Sequence, residues 1–227
     1  KSNGNAITTL TVTAANPVSY RFVGDPGSVS RNTLNTITSD RGLIVEASEP
    51  VSVNMRNIAS DSPGTTNLTI KGNASLVSFG NEGIGLAFRL GYYRNSYTGI
   101  ANGAPIYSVM AIENGTIISL NESVMAILNE GQSRVFTATM SSLLTADKPV
   151  VSNVGTYGDT PQSCSGNGED GTVDQIAPIN MLGQRYMLVR GEGTPGTGPN
   201  DPEQSTIIAS EANTSVQITN YDASGNF

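Results

Sequence analysis

Histidine and tryptophan are missing from this chain, and cysteine occurs once, as Cys164. Without histidine, neither a Ser-His nor a Cys-His nucleophile can be assembled. A Ser-Lys pair would have to draw on Lys1, Lys71 or Lys148. Lys148, between Asp147 and Pro149, reads as a solvated lysine that keeps a strand edge soluble. Zinc loses its imidazole ligands and all but one thiolate. A single cysteine closes no disulfide within the chain, so Cys164 is a free thiol or a link to another chain, and stability must come from core burial. Basic residues are scarce as well. The 12 Lys and Arg stand against 19 Asp and Glu, and the net charge of -7 repels a nucleic-acid backbone. No apolar run nears the roughly 20 residues of a membrane-crossing helix, so no membrane span is expected in this chain. Acidic residues are plentiful enough to form pairs by chance, and Glu49, Glu113, Glu130 and Glu211 sit in turn-like segments where a solvated carboxylate is ordinary. Together these absences point away from an enzyme.

What the chain does contain is turn chemistry. Its 227 residues include 25 Gly and 11 Pro, scattered without a three-residue period, and its apolar content of 37% is enough for a core. Short β-branched stretches alternate with polar turns, and nowhere do apolar residues recur at helical spacing over three turns. Strands are expected over residues 7–13, 18–23, 42–47, 51–55, 68–70, 76–79, 84–93, 106–112, 116–120, 124–128, 134–138, 150–154, 184–190, 205–210 and 215–219. Residues 113–115 (ENG) and 129–131 (NEG) are hairpin turns. Residues 140–144 read as one helical turn or a loop. The class is all-β.

Similar pieces recur at an interval of about 98 residues. Residues 11–14 (TVTA), 108–111 (SVMA) and 206–209 (TIIA) form one set; 47–51 (ASEPV) and 146–150 (ADKPV) form a second; 85–90 (GLAFRL) and 183–188 (GQRYML) form a third. Antiparallel hairpin-based repeats follow, in a propeller-like or sandwich architecture. The chain reads as a single all-β region over 1–227, with units near 1–83, 84–181 and 182–227. Convergent hairpin chemistry is the competing explanation of the matches.

The order of several short motifs carries a family resemblance. Residues 111–118 (AIENGTII), 128–132 (LNEGQ), 146–151 (ADKPVV), a loop holding Cys164, 174–178 (DQIAP) and 182–186 (LGQRY) follow one another. In that order they resemble the family of the amino-terminal domain of immunoglobulin-G Fc-binding protein, which also occurs in secreted and cell-surface bacterial proteins. The resemblance covers residues 84–219 closely and 1–60 loosely. The family commonly carries paired cysteines and a tryptophan where this chain has Cys164 alone and Leu182. The resemblance implies a secreted or cell-surface module, acting in adhesion, and transfers no antibody-binding residue.

Candidate contacts lie on the connections between strands, where a rigid β scaffold presents recognition groups. Tyr93, Tyr97, Tyr107 and Tyr157 are the candidate ligand-binding aromatics, each offering contact area and a hydroxyl. Asn167, Glu169, Asp170 and Asp174 supply the oxygen donors calcium takes, at a spacing unlike that of an EF-hand loop. A solvated, turn-rich segment explains the same residues. No cofactor is otherwise expected. The leading expectation is noncovalent binding of a protein or glycan at the cell surface. A structural protein whose copies assemble with one another is the alternative, and a carbohydrate-active enzyme stands well behind both.

Overall fold

A computed structural model describes residues 7–20, 33–39, 41–59, 72–92, 104–156, 172–188 and 206–219. The described residues are predominantly β, as expected, with ten strands and two short 3₁₀ turns. In chain order the strands are β1 (Ile37–Thr38), β2 (Asn54–Ala59), β3 (Gly72–Val77), β4 (Gly85–Arg89), β5 (Ile106–Ala111), β6 (Thr116–Leu120), β7 (Ser123–Leu128), β8 (Ser133–Phe136), β9 (Leu143–Thr156) and β10 (Thr172–Ile176). The 3₁₀ turns, Gly80–Gly83 and Ile179–Met181, precede β4 and follow β10.

β9 is the spine. Its 14 residues pair with four other strands, all antiparallel. On one side its first half meets β4 (Phe88 opposite Leu144) and its second half meets β10 (Gln175 opposite Asn153). On the other side the first half meets β6 (Leu120 opposite Leu144) and the second half meets β5 (Val109 opposite Ser152). The handover falls at residues 146–149. β6 pairing reaches Ala146, β5 pairing begins at Val150, and the β4 register breaks between Gly85 and Ala87. Pro149 has no N–H to give a ladder, so an irregularity is where it can be tolerated inside a long strand. Of the expected helical turn or loop over 140–144, residues 140–142 are a turn, and β9 already starts at Leu143. Leu143 and Leu144 find neighbours on both sides, and the Asp-Lys-Pro segment bends the strand without ending it.

From β9 the sheet continues through β5 to β8 and β1, and through β6 to β7. β7 and β8 follow each other across a tight turn, so the two wings bend towards one another into a nearly closed barrel. The Arg134 guanidinium of β8 spans the remaining gap and donates to the Met125 carbonyl of β7 at 2.6 Å. Asn121 and Glu122 join β6 to β7 with φ of 46° and 68°, the left-handed pair that a two-residue hairpin needs to match strand twist. Asn121 then anchors that turn to the head of β9, accepting from the Leu143 N–H at 2.9 Å and donating to Ser142 Oγ at 3.2 Å.

The barrel interior is one apolar cluster. Phe88 and Leu90 come from β4 and the residue following it; Tyr107, Val109 and Ala111 from β5; Ile118 from β6; Ala126 and Leu128 from β7; Phe136 from β8; Leu144 and Val150 from β9. Alternation puts them there: β5 buries every second residue. Two buried hydroxyls are satisfied by backbone carbonyls, Thr116 Oγ1 donating to that of Glu113 at 2.8 Å and Ser152 Oγ to that of Ser108 at 3.1 Å.

Several expected strands are not part of any sheet. Residues 7–20 hold one isolated bridge, Thr13 to Asn16. Residues 42–47, 51–53, 184–188 and 206–219 also lie outside the ten strands, although the turn at 210–213 is present. Their propensity and alternation suit a strand, yet an extended segment becomes one only when a neighbour completes its ladder. Their apolar residues are accordingly exposed, among them Leu10, Val12, Val45, Val51, Tyr186 and Leu188.

Gly85 tests the packing of β4 on the segment after β10. A Cβ at that position would overlap Pro178, which is fully buried. Gly85→Ala is expected to lower stability by about 1–3 kcal/mol through overpacking, read as a drop in the midpoint of urea unfolding at constant slope. An unchanged midpoint would mean that Pro178 yields at no cost.

Candidate binding surface

Three of the motifs that were far apart in sequence come together at one end of the barrel. Asn114 and Gly115 form the β5–β6 turn, Asn129 to Gln132 form the β7–β8 turn, and Asp147 and Lys148 lie at the bend in β9. Gly115 (φ 66°) and Gly131 (φ 76°) supply the left-handed residues these turns require. The turns then bond reciprocally. The Asn129 carboxamide oxygen accepts from the Gly115 N–H at 3.0 Å, and that of Asn114 accepts from the Glu130 N–H at 3.1 Å. Lys148 Nζ donates to the Asn114 carbonyl at 2.5 Å, and Asp147 Oδ1 accepts from the Ile117 N–H at 2.7 Å. Asp147 thus serves a ladder donor on β6 at the point where β9 bends. Gln132 extends the clasp, accepting from the Asn129 N–H at 2.8 Å and donating to Ser39 Oγ at 3.1 Å.

The fourth motif, residues 174–178, is equally structural. Gln175 Oε1 accepts from the Phe79 N–H at 2.6 Å, tying β10 to the segment before the first 3₁₀ turn. Pro178 fills the space that Gly85 leaves. These four motifs of the resemblance therefore build and lock the scaffold.

The candidate contacts fare differently. Tyr107 is not a surface group. It is fully buried on β5, with its ring centroid 5.9 Å from that of Phe136, because its position shares the inward face with Val109 and Ala111. Asp174 is exposed on β10, and its Oδ1 accepts from the Gln175 N–H at 2.8 Å. Tyr93, Tyr97, Tyr157, Asn167, Glu169 and Asp170 lie outside the described residues, as does Cys164. Among the described residues, no group of three or more Cys, Asp or Glu side chains is placed to hold a metal ion.

Another surface emerges on the β6–β7 hairpin. Ile117 and Ile127 are cross-strand partners on its outer face, and Val124 lies nearby on β7; Val124 and Ile127 are exposed by 66% and 59%. Alternation alone would turn Val124 inward with Ala126 and Leu128, which are buried. A register shift between Ile118 and Ser119 leaves Met125 as the extra residue on β7, and this rotates Val124 outward. The Arg134 side chain bonds the Met125 carbonyl at that bulge. The sequence signal was the unbroken apolar run of residues 124–128, where a strand with one wet face would alternate.

The clasp can be measured. Asp147→Ala removes the acceptor of the Ile117 N–H and is expected to cost about 1 kcal/mol. Asn114→Ala combined with Asn129→Ala should show a coupling energy of about 0.5 kcal/mol or more in a double-mutant cycle, since each side chain holds the other's turn. Strict additivity in chemical denaturation would show that the two turns are independent.

Among the described residues, no helix is long and apolar enough to cross a membrane. No curated protein and no solved structure matches the chain. The family model described as IgGFc binding protein matches residues 111–226, a span that begins at the last residue of β5 and takes in the clasp, the whole spine and β10. By that match over more than half its length, the chain belongs to the IgGFc binding protein family.

Proposed function

We propose that this protein is an extracellular adhesion or recognition module that binds a partner noncovalently through the outer face of the β6–β7 hairpin. The observation behind the proposal is the exposed apolar triad Ile117, Val124 and Ile127, held out by a bulge on a hairpin whose two ends are both tied down. Aliphatic side chains on a rigid face suit a protein partner better than a sugar, whose hydroxyls call for polar groups and flat aromatic rings. Rigidity matters because little conformational freedom is then lost on binding. Tyr93, Tyr97 and Tyr157 are proposed as further contacts, each offering ring area and a hydroxyl. A surface or secreted location accords with the family.

The immunoglobulin G Fc fragment is the first partner to test, since the family is named for it. In biolayer interferometry with immobilised Fc, Val124→Glu together with Ile127→Glu is expected to weaken binding at least tenfold, about 1.4 kcal/mol. The circular dichroism spectrum should not change. Tyr97→Ala and Tyr157→Ala should each have a smaller effect. Binding that survives the double substitution but is lost with the tyrosines would move recognition to the connections. If no binding to Fc appears, the same variants apply to a glycan array and to a panel of cell-surface proteins. A partner bound equally well by wild type and the double variant would exclude the β6–β7 face.

A further inference from the structure

The β5–β6 turn carries the step Asn114-Gly115, the kind of sequence at which a polypeptide most readily modifies itself. The Gly115 amide nitrogen, once deprotonated, attacks Cγ of Asn114. The side-chain nitrogen leaves as ammonia and a succinimide ring closes. Water then opens the ring at either carbonyl, leaving aspartate or isoaspartate. Water is consumed and ammonia released, with no oxidant or reductant involved. Glycine favours the step because no Cβ shields its nitrogen or limits its backbone angles. Both residues are exposed, and Gly115 has φ 66°. Sequence and exposure alone would make this amide short-lived.

The clasp opposes each movement the reaction needs. Attack requires a deprotonated nitrogen, and the Gly115 N–H is donated to Asn129 Oδ1 at 3.0 Å. A hydrogen bond made by the neutral group disfavours the charged one. Attack also requires the Asn114 carboxamide to swing over that nitrogen, and its oxygen is held on the neighbouring turn by the Glu130 N–H at 3.1 Å. Ring closure rotates the Cα–C bond of Asn114, and Lys148 Nζ holds the carbonyl that would have to turn, at 2.5 Å. These anchors come from the β7–β8 turn and the bend in β9, so they exist only in the folded chain.

We propose that Asn114 is a latent deamidation site that the clasp keeps closed, with Asn129 as the positioning residue that withholds the nucleophile. Asn129 is the decisive member because the Glu130 bond acts in two directions. It holds the carboxamide away from Gly115, yet a donor on a carbonyl oxygen also stabilises the negative charge that attack would place there. Once the Gly115 N–H is released, that bond assists the reaction. The product then keeps the clasp open. Isoaspartate lengthens the main chain of a tight turn by a methylene, and either product adds a carboxylate between Glu113, its chain neighbour, and Glu130, whose N–H it faces. A passing opening of the clasp is thereby made permanent. This chemistry is independent of the β6–β7 face proposed to bind a partner.

Peptide mapping by mass spectrometry, after incubation of the full chain in mildly alkaline buffer, tests the proposal. Folded wild type is expected to retain Asn114. In urea, Asn114 should convert as fast as Asn3, Asn102 and Asn167, which also precede glycine and lie outside the described residues. Asn129→Ala in native buffer should speed conversion at residue 114 about fivefold or more, the factor that one lost hydrogen bond represents. Asn129→Asp, which keeps an acceptor for the Gly115 N–H, should restore the wild-type rate. Asp147→Ala weakens the same clasp but leaves the Gly115 bond in place, and should also convert at the wild-type rate. A folded wild type that loses Asn114 at the rate seen in urea, or an Asn129→Ala chain no faster than wild type, would overturn the proposal. So would Asp147→Ala matching Asn129→Ala, since overall stability would then set the rate.

Discussion

Everything in this fold depends on keeping β9 a single strand through its bend. A strand with one neighbour on each side can be straight. One that serves two neighbours on each side must let its ladders change hands, and a proline at the handover removes one donor from competition. The cost of the irregularity is an unserved N–H on β6, and Asp147 supplies the acceptor. Lys148 completes the arrangement by reaching the carbonyl of the adjacent turn. The bend is therefore held by side chains from the bend itself, and the two wings of the sheet can fold over a common core.

The remaining connections serve the same end. Asn114 and Asn129 exchange hydrogen bonds between turns at one end of the barrel, and Asn121 fixes the β6–β7 turn to the start of the spine at another. Asparagine suits this work because it accepts and donates from a short side chain and itself tolerates left-handed backbone, as Asn121 does. The many polar turns, which by composition alone look like solvated loops, thus act as joints. Such joints substitute for disulfides in a chain with one cysteine, and they leave the outer faces of the strands to whatever binds there.

The bulge at Met125 links scaffold to surface. It belongs to the device by which β7 turns towards β8, since Arg134 bonds the carbonyl at that point, and the same irregularity rotates Val124 into solvent. Barrel closure and the exposed apolar face are in this way two consequences of one extra residue. A strand apolar on both faces buries one in the core and leaves the other exposed, and this separates β7 from β5, whose outer positions are half-buried polar and apolar groups.

The sequence by itself determined the all-β class, the hairpin turns at residues 113–115 and 129–131 and the family, because local turn chemistry and the order of short motifs are written at short range along the chain. It also marked the segments with strand propensity. Tertiary structure decided which of those segments became strands, since residues 7–13 and 184–188 have suitable alternation yet a ladder exists only where a neighbour stands alongside. It decided that Tyr107 belongs to the core, because the parity of its strand faces it inward beside Val109. It decided, too, that the Asn114, Asn129 and Asp147 motifs are one clasp, since a hydrogen bond joins groups by distance in space, and separation along the chain gives no measure of that.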